Sequence, residues 1–391
     1  MVLAPLKILI FSVSIGSGHD SVANALAQDI KTQAPDSQVL IVDTFKYINS
    51  ILNKVVVGSY METIKFTPKV WGYLYEQAED GERLVDTGQI LSKLLSPKLD
   101  QLLMDFRPDV LICTHAFPVG ILSVLKNKKN FKQPIISCIT DFTVHSFWIH
   151  PQVDLFVIPQ DDLINPFVDE GINLDKVKPF GIPIRSQFRN IPDKKTSREK
   201  LGLLERQTVL VMGGGLGLGK IEEAVYKLLH ETHLQIIVIA GSNQKLKNNL
   251  ELLKRDNRLH VLGFVENVAE IMACADLIVT KPGGITCAEA LAMELPMAII
   301  SPLPGQEERN TDYFINKGVA IKVKKMEYLI RELNSLCSNS LRLRHMKEMA
   351  AYLKRPNSAV NTIQEAWKIV ASKKFLANEG NGEDLDSIKM G

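Results

Sequence analysis

Three glycine-rich turns stand out because each combines glycines with side chains suited to acid–base or anion-binding chemistry. The first turn, residues 16–19, follows an apolar run and ends in His19. A strand that ends in glycines and opens a helix leaves the first helical N–H groups pointing outward, where they attract phosphates. A histidine facing a substrate there could act as a general base. The pattern alone leaves open a surface histidine without a role.

The second turn, residues 213–220, approaches the spacing of a P-loop but departs from it at one decisive position. A P-loop needs Ser or Thr directly after its lysine to hold magnesium, whereas Ile221 follows Lys220 here. The turn therefore does not predict a nucleoside triphosphatase. Its glycines still allow a ligand to approach the backbone closely.

The third turn, residues 280–289, contains Gly283 and Gly284, followed by Thr286 and Glu289. The spacing of Thr286 and Glu289 is also that of a helix capping box, which requires no ligand. A capping box does not need two adjacent glycines, however, and a second turn rich in acids follows downstream. This combination favours a nucleotide site.

The elements around these turns alternate between apolar, β-rich runs and amphipathic helical stretches, which is the pattern of a parallel sheet covered by helices. The pattern occurs twice, so we predict an α/β fold with two Rossmann-like domains facing across a cleft. The predicted domains cover residues 1–185 and 206–376, joined by a linker over 186–205. A C-terminal helix over 359–376 should precede a disordered tail over 377–391.

The composition sets broad limits on function. The 391 residues are 46% hydrophobic, and 46 Lys and Arg against 44 Asp and Glu give a net charge of +2. This balance gives no general case for nucleic-acid binding, and no apolar run reaches the length of a membrane-spanning helix. The five cysteines show no CxxC spacing, which argues against a zinc site and fits a reducing cytoplasm.

Several motifs resemble GT-B glycosyltransferases of the branch that holds monogalactosyldiacylglycerol synthases, processive diacylglycerol glucosyltransferases and the murein GlcNAc transferase. The donor-half motifs are residues 263–267, 280–290 and 304–307, while residues 14–19 and 140–148 look like the diacylglycerol-acting members. The similarity extends from about residue 6 to about residue 370. It implies a GT-B fold and an inverting, metal-independent transfer of glucose or galactose from a UDP-sugar to diacylglycerol, without a cofactor.

The resemblance also implies catalytic roles. It places the catalytic base at His19, which would take the proton of the lipid hydroxyl as this attacks the anomeric carbon. His115, Asp141 and His145 follow apolar runs on the same side, and we take Asp141 and His145 as supporting residues. Some lipid enzymes have Gly-Gly-Gly-His where residues 16–19 are Gly-Ser-Gly-His, a difference that removes no functional group.

For the donor, the resemblance implies uracil binding by Phe264 and Val265 and ribose binding by Glu289. Helix N–H groups of residues 283–286 would bind the pyrophosphate, and Gln306 and Glu307 would bind the sugar hydroxyls. The implied donor-binding residues are Arg185, Gly214, Gly215, Phe264, Val265, Lys281, Gly283, Gly284, Ile285, Thr286, Glu289, Gln306 and Glu307. Many relatives have Ala-Gly-Pro-Gly-Thr where residues 282–286 are Pro-Gly-Gly-Ile-Thr, which leaves the acceptor open.

Residues 46–75 carry four lysines against one acid, interleaved with aromatic and aliphatic residues. This mixture suits an anionic bilayer surface, where each lysine contributes about 1 kcal/mol. A core-packed helix with a charged face has the same composition, and the lipid acceptor favours the membrane. We therefore expect a cytoplasmic, peripheral protein on the inner face of the cell membrane, with UDP-hexose, diacylglycerol and anionic lipid as partners and no nucleic acid.

Three alternative functions remain open from the sequence. A GlcNAc transferase to a lipid-linked cell-wall precursor and a UDP-sugar epimerase would both use the same two-domain architecture. A nicotinamide-dependent oxidoreductase would use the first turn together with Asp43 as the ribose-binding acid. Ser21 stands where the dinucleotide fingerprint needs its third glycine, which counts against this last alternative.

Overall fold

The computed structural model describes residues 3–14, 17–48, 98–129, 131–253 and 256–386. Within them the chain forms two parallel sheets of six strands each, covered by helices. The strands are short and apolar, and those in the middle of each sheet are buried on both faces, as all-parallel sheets require. The predicted α/β fold with two Rossmann-like domains is confirmed.

The first sheet has the strand order β2-β1-β3-β4-β5-β6. Its strands are β1 (Lys7–Ser12), β2 (Gln38–Asp43), β3 (Val110–Cys113), β4 (Ile135–Cys138), β5 (Leu155–Val157) and β6 (Val177–Lys178). The helices of this half are α1 (Gly18–Gln33), α2 (Thr44–Ile48), α3 (98–106), α4 (Ala116–Lys129) and α5 (Asn165–Asp169). The strand order reverses between β1 and β3, which places a crevice at their carboxyl ends.

The second sheet has the order β12-β11-β10-β7-β8-β9, and its strand order reverses between β7 and β10. Its strands are β7 (Thr208–Met212), β8 (Gln235–Ile239), β9 (Leu259–Leu262), β10 (Leu277–Thr280), β11 (Met297–Ile299) and β12 (Ala320–Lys322). The helices are α6 (Lys194–Lys200), α7 (Ile221–Glu231), α8 (Gln244–Glu251), α9 (Val268–Cys274), α10 (Gly284–Ala292), α11 (Gln306–Asn316), α12 (Leu329–Cys337) and α13 (Ser340–Leu353).

The predicted linker is more ordered than its polar, proline-broken sequence suggests. It contains α6, whose N-cap Asp193 accepts a hydrogen bond from the Thr196 backbone N–H at 2.9 Å. The Arg198 side chain on this helix is buried, donates to the Cys274 carbonyl at 3.0 Å and pairs with Asp276 at 3.1 Å. These contacts attach the linker to the second domain.

The chain returns to the first domain through its terminal helix, α14 (Ser358–Asp386). The Trp367 indole N–H donates to the Ala4 carbonyl at 2.6 Å, and Lys373 pairs with Asp154 at 2.7 Å. The predicted boundaries placed this helix in the second domain and began a disordered tail at residue 377. The helix instead lies against the first domain and continues to Asp386, because no proline interrupts the helical run.

The basic and aromatic segment over residues 46–75 lies outside the described residues except for its first three positions. Its predicted membrane role therefore has no structural counterpart here. Among the residues that the structure does describe, no helix combines the length and apolar character needed to cross a bilayer.

Candidate active site

The strand-order reversals of the two sheets face each other, so the glycine turns of the two domains meet. A Cβ added to Gly18 at the start of α1 would lie 3.3 Å from the Ile285 side chain of α10. A Cβ on Gly215, in the turn after β7, would lie 2.6 Å from Ser17 Oγ. Since real Cβ contacts are longer than this, a side chain at position 215 would force Ser17 to shift.

The centre of the contact between domains is a crossing segment, Thr140–Phe142, which follows β4. A Cβ on Gly284 would lie only 1.9 Å from the Thr140 carbonyl oxygen, so the backbone of α10 passes directly against this segment. The Phe142 ring packs against Phe314 of α11, with centroids 4.6 Å apart. The crossing segment therefore joins the first domain to two helices of the second.

His19, in the first turn of α1, is fixed by two oxygen atoms at the carboxyl ends of neighbouring strands. Its Nδ1 lies 2.7 Å from the Thr114 carbonyl oxygen and 3.3 Å from Thr140 Oγ1. A carbonyl oxygen only accepts, so Nδ1 must carry the proton and Nε2 keeps its lone pair. This tautomer is the one that a general base using Nε2 requires.

Burial favours the neutral form of His19. Burial lowers the pKa of His19 below its ordinary value, while the charges of Asp141 and Asp20 and the Thr114 hydrogen bond oppose this shift. Burial also raises the pKa of Asp141, with His19 as the leading opposing influence. Asp20 accepts hydrogen bonds from Ser12 and Ser14, at 2.5 and 2.8 Å. A neutral imidazole beside an acidic neighbour suits proton abstraction.

His115 and His145, which the sequence placed on the same side as His19, have different surroundings. The His115 ring lies edge-on to His19, with centroids 4.6 Å apart, and its Nδ1 accepts from the Phe117 N–H at 3.0 Å. Burial, followed by the nearby His19, lowers the pKa of His115 well below its usual value, so it stays neutral. His145 caps the short helix Ser146–Trp148, where its Nδ1 accepts from the Phe147 N–H at 3.2 Å. That nitrogen serves the local fold.

The third glycine turn opens α10 with Gly283 as the N-cap, and no side chain caps the helix. Thr286 lies inside the first turn of the helix, so the capping-box interpretation of Thr286 and Glu289 is wrong. The space in front of Gly283 is open, with no atom within 4 Å of a Cβ built there. Uncapped helical N–H groups beside open space form the arrangement that binds phosphate groups.

Arg185 and Glu289 form an ion pair next to this helix start, in which Glu289 is buried and Arg185 is partly exposed. Arg185 Nη2 lies 3.4 Å from Glu289 Oε1, and Arg185 Nη1 donates to the Glu266 carbonyl at 3.2 Å. Burial raises the pKa of Glu289 to about 7, although the Arg185 charge opposes the shift. The structure therefore places Arg185, a predicted donor-binding residue, on the predicted ribose-binding acid.

The predicted sugar-binding residues at the start of α11 have defined partners. Gln306 Nε2 donates to Asp141 Oδ2 at 2.7 Å, so Gln306 connects the second domain to the acid beside His19. Glu307 pairs with Lys281 Nζ at 2.8 Å and accepts from the Leu303 N–H at 2.8 Å. Gln306 thus bonds to the crossing segment, whereas the Glu307 carboxylate is held by Lys281 and the Leu303 backbone.

The remaining predicted donor residues differ in their exposure and contacts. Phe264 is 71% exposed, whereas Val265 is partly buried against the core. Gly214 has a positive φ of 68°, and its added Cβ would lie 3.9 Å from Thr286 Oγ1. Gly214 therefore lies close to the first turn of α10, which contains Ile285 and Thr286.

Asn310 is a residue of this site that sequence analysis missed. It is fully buried, and its side chain contacts Asp141, Phe142 and Pro282. The signal that could have revealed it is its position four residues after Gln306, which places both side chains on one face of α11.

Asp43, the acid of the alternative dinucleotide site, accepts from the Ser14 N–H at 3.3 Å and pairs with Lys46 at 3.1 Å. These contacts connect the ends of β1 and β2. Within the described ranges, no cluster of three or more His, Cys, Asp or Glu side chains could hold a metal ion. Metal independence and the absence of a cofactor stay predictions.

Two family models match the chain. Monogalactosyldiacylglycerol (MGDG) synthase matches residues 19–184, and the glycosyltransferase family 28 C-terminal domain matches residues 208–363. A Bacillus licheniformis protein named processive diacylglycerol beta-glucosyltransferase is 30% identical over 377 residues, covering 94% of this chain and 97% of its own. The Bacillus pumilus protein of that name is 30% identical over 378 residues, with 95% and 96% coverage.

Solved structures with low sequence identity share the fold. MurG of Acinetobacter baumannii has a TM-score of 0.60 at 14% identity, covering 94% of this chain and 99% of its own. A UDP complex of MnaA from S. aureus has a TM-score of 0.58 at 14% identity, with 92% and 95% coverage. The two opposed Rossmann-like domains are those of GT-B enzymes. With both halves and the chain as a whole matched, the protein belongs to the glycosyltransferase family of the monogalactosyldiacylglycerol synthases and processive diacylglycerol glucosyltransferases.

Proposed function

We propose that this protein transfers a hexose from a UDP-sugar to the hydroxyl of diacylglycerol, with inversion and without a metal ion. The observation that carries the proposal is the apposition of His19 with the start of α10. His19 lies beside Thr140, whose carbonyl oxygen lies against Gly284. A base on one domain thus faces an anion-binding helix start on the other, as a direct displacement at an anomeric carbon requires.

The acceptor half of the reaction depends on His19. The hydroxyl of diacylglycerol is a weak nucleophile, so Nε2 of the neutral imidazole would take its proton as the oxygen attacks the sugar. The Thr114 carbonyl holds the Nδ1 proton and would stabilise the imidazolium that forms. Attack from the side opposite the leaving diphosphate inverts the anomeric configuration.

The donor half depends on the start of α10. The leaving UDP gains negative charge, which the N–H groups of residues 284–286 and the helix dipole would stabilise. Lys281 lies at the same turn with its ammonium group on Glu307. A glutamate and a glutamine at the start of α11 offer acceptors and a donor for sugar hydroxyls.

The acceptor and donor classes are supported by the names of relatives. The Bacillus proteins are named for diacylglycerol glucosylation, and the first-domain family model is named for a galactolipid synthase. Glucose and galactose differ by one hydroxyl orientation, and the proposal covers both. MurG and MnaA share the fold at 14% identity, so GlcNAc transfer to a cell-wall precursor and epimerisation are the alternatives to test.

A donor-by-acceptor assay tests the proposal directly. Purified protein is incubated with radiolabelled UDP-glucose, UDP-galactose or UDP-GlcNAc, and with diacylglycerol vesicles, a lipid-linked cell-wall precursor or no lipid. We expect labelled glycolipid only with a UDP-hexose and diacylglycerol, with inverted configuration and full activity in a metal chelator. Product with UDP-GlcNAc and the cell-wall lipid, or epimerised sugar without lipid, would instead support the alternatives.

The proposed ribose contact predicts a large effect of Glu289 on UDP affinity. Glu289→Ala should weaken UDP binding by about 1–3 kcal/mol, because it removes a buried charged acceptor. Since the pKa of Glu289 is raised to about 7, wild-type UDP affinity should fall as the pH drops below 7 and the carboxylate is protonated. Calorimetric titration between pH 5.5 and about 8 measures both effects.

Glu289→Gln serves as the matched control for the pH effect, because the amide keeps the shape of the side chain but does not ionise. Its UDP affinity should lack the pH dependence ascribed to the carboxylate. An unchanged dissociation constant in Glu289→Ala, or an identical pH dependence in Glu289→Gln, contradicts the assignment of Glu289 to the ribose.

Peripheral binding at the inner, cytoplasmic face of the membrane is part of the proposal and is supported by the basic and aromatic composition of residues 46–75. Lys54/Lys65/Lys69→Glu should reduce partition into anionic liposomes at least ~100-fold, because each lysine contributes about 1 kcal/mol at such a surface. Liposome flotation measures the partition. The control variant reverses three exposed lysines of the second domain, Lys324, Lys325 and Lys347. Equal partition of the two variants contradicts the proposal.

A further inference from the structure

Asn310 uses its whole side-chain amide to join three parts of the cleft. Its Oδ1 accepts the Phe142 backbone N–H at 2.9 Å. Its Nδ2 donates to Asp141 Oδ1 at 3.1 Å and to the Pro282 carbonyl oxygen at 3.0 Å. Nδ2 has two protons, so both are used, and the side chain has no exposed surface. A buried amide with this set of partners is held in one orientation.

The three partners belong to both halves of the site. Pro282 directly precedes Gly283, the N-cap of the helix proposed to bind the diphosphate. Asp141 and Phe142 belong to the crossing segment, which contacts His19 through Thr140. A single side chain thus connects the proposed donor-binding turn to the acid next to the base.

We propose that Asn310 is a positioning residue for the transfer reaction, which holds Asp141 beside His19 and aligns the diphosphate-binding turn with the base. The proposal rests on the proposed function, because it assigns Asn310 a part in that reaction. Asn310 would act through Asp141 and Pro282, and it needs no contact with either substrate. The hydrogen bond to the Pro282 carbonyl oxygen fixes the distance between Asn310 and the start of α10.

The charged and titratable groups around Asp141 determine how its position affects the pKa of His19. His19 of α1 faces it from the first domain, with Asp20 and His115 next to His19, and Cys287 of α10 faces it from the second domain. The Asp141 charge raises the pKa of His19, and the amide donors of Gln306 and Asn310 favour the ionised form of Asp141. Loss of Asn310 should therefore lower the pKa of His19 further.

Asn310→Ala tests the proposal by steady-state kinetics. We expect kcat to fall at least about 30-fold, with KM for the UDP-sugar changed less than about threefold, because misalignment affects the reacting geometry more than binding. The acid limb of the kcat profile should move to lower pH. The matched control is Thr311→Val, since Thr311 is equally buried on α11 and donates only to the Glu307 carbonyl at 2.7 Å. Wild-type kcat is expected for this control.

Asn310→Asp provides a second, nearly isosteric variant in case the alanine variant does not fold. It keeps the acceptor for Phe142 but places an acid against Asp141 and the Pro282 carbonyl. The two acids should share one proton at low pH. When this proton is lost at higher pH, the two carboxylates repel each other and separate, so the activity profile of this variant should gain an alkaline limb that the wild type lacks. A wild-type pH profile in Asn310→Asp overturns the proposal.

The outcomes separate this inference from the proposed function. Wild-type protein without transfer activity on diacylglycerol contradicts the proposed function itself. Active wild-type protein together with an unchanged kcat in Asn310→Ala, or a loss that Thr311→Val reproduces, overturns the positioning role alone. A large loss in kcat with the shifted acid limb, absent from Thr311→Val, supports it.

Discussion

Replacing His19 with alanine is expected to reduce hexose transfer by about 10²- to 10⁴-fold, which is the usual contribution of a general base. UDP binding should persist, because His19 lies on the first domain and contacts Thr114 and Thr140 through its ring. Single-turnover transfer and UDP titration measure the two properties separately. Near-wild-type turnover in this variant would remove His19 from the chemistry.

The pH dependence of the wild type gives an independent check on His19. Burial lowers the pKa of His19 below 6.5, and only the neutral ring can accept a proton. Activity should therefore be retained at pH 6.5 and decline as the pH falls through this lowered value. His230→Ala, which removes an exposed histidine on α7, is the control and should keep the wild-type profile. An acid limb with a pKa above the ordinary histidine value of 6.5 contradicts the buried environment of His19.

Gly284→Ala should produce the second large loss, for a steric reason. Its added methyl carbon would lie 1.9 Å from the Thr140 carbonyl oxygen, so α10 and the crossing segment must move apart by about 1 Å. A displacement of this size between reacting groups costs on the order of 10²-fold in rate. We therefore expect kcat to fall by about this factor, as measured in the transfer assay.

Gly120→Ala, on α4, is the control for this substitution. Its added methyl would meet only the His150 side chain, in ordinary contact at 3.5 Å, so activity should stay close to the wild type. Thermal unfolding of both variants distinguishes a displaced interface from a general loss of stability. If Gly284→Ala turns over like the control, the close packing of the two domains at Thr140 is not needed for catalysis.

The two sheets could be predicted because parallel strands that are buried on both faces correspond to continuous apolar runs in the sequence. The runs at Val110–Cys113 and Thr208–Met212 coincide with strands β3 and β7. Strand β6 has two residues and β12 three, which is too short for a periodic signal. The ends of helices are harder to predict, and the terminal helix α14, predicted to end at residue 376, extends to Asp386.

The glycine turns of the site could be predicted because glycine is needed wherever two backbones approach closely. Gly215 and Gly284 are instances, since each faces an atom of the other domain. Asn310 could not be predicted, because its three partners are distant in sequence and its role exists only once the domains are closed. The Arg185–Glu289 pair escaped prediction for the same reason, as these residues are 104 positions apart.

The return of α14 to the first domain makes the polypeptide pass twice between the halves, once through the linker around α6 and once near Ser358. Two covalent connections between the domains allow rotation about the line through them but oppose twisting about other axes. We therefore expect the domains to open by rotation about this line when UDP is released. A fluorophore placed on α14 would report the movement of the first half, although it follows the second half in the chain.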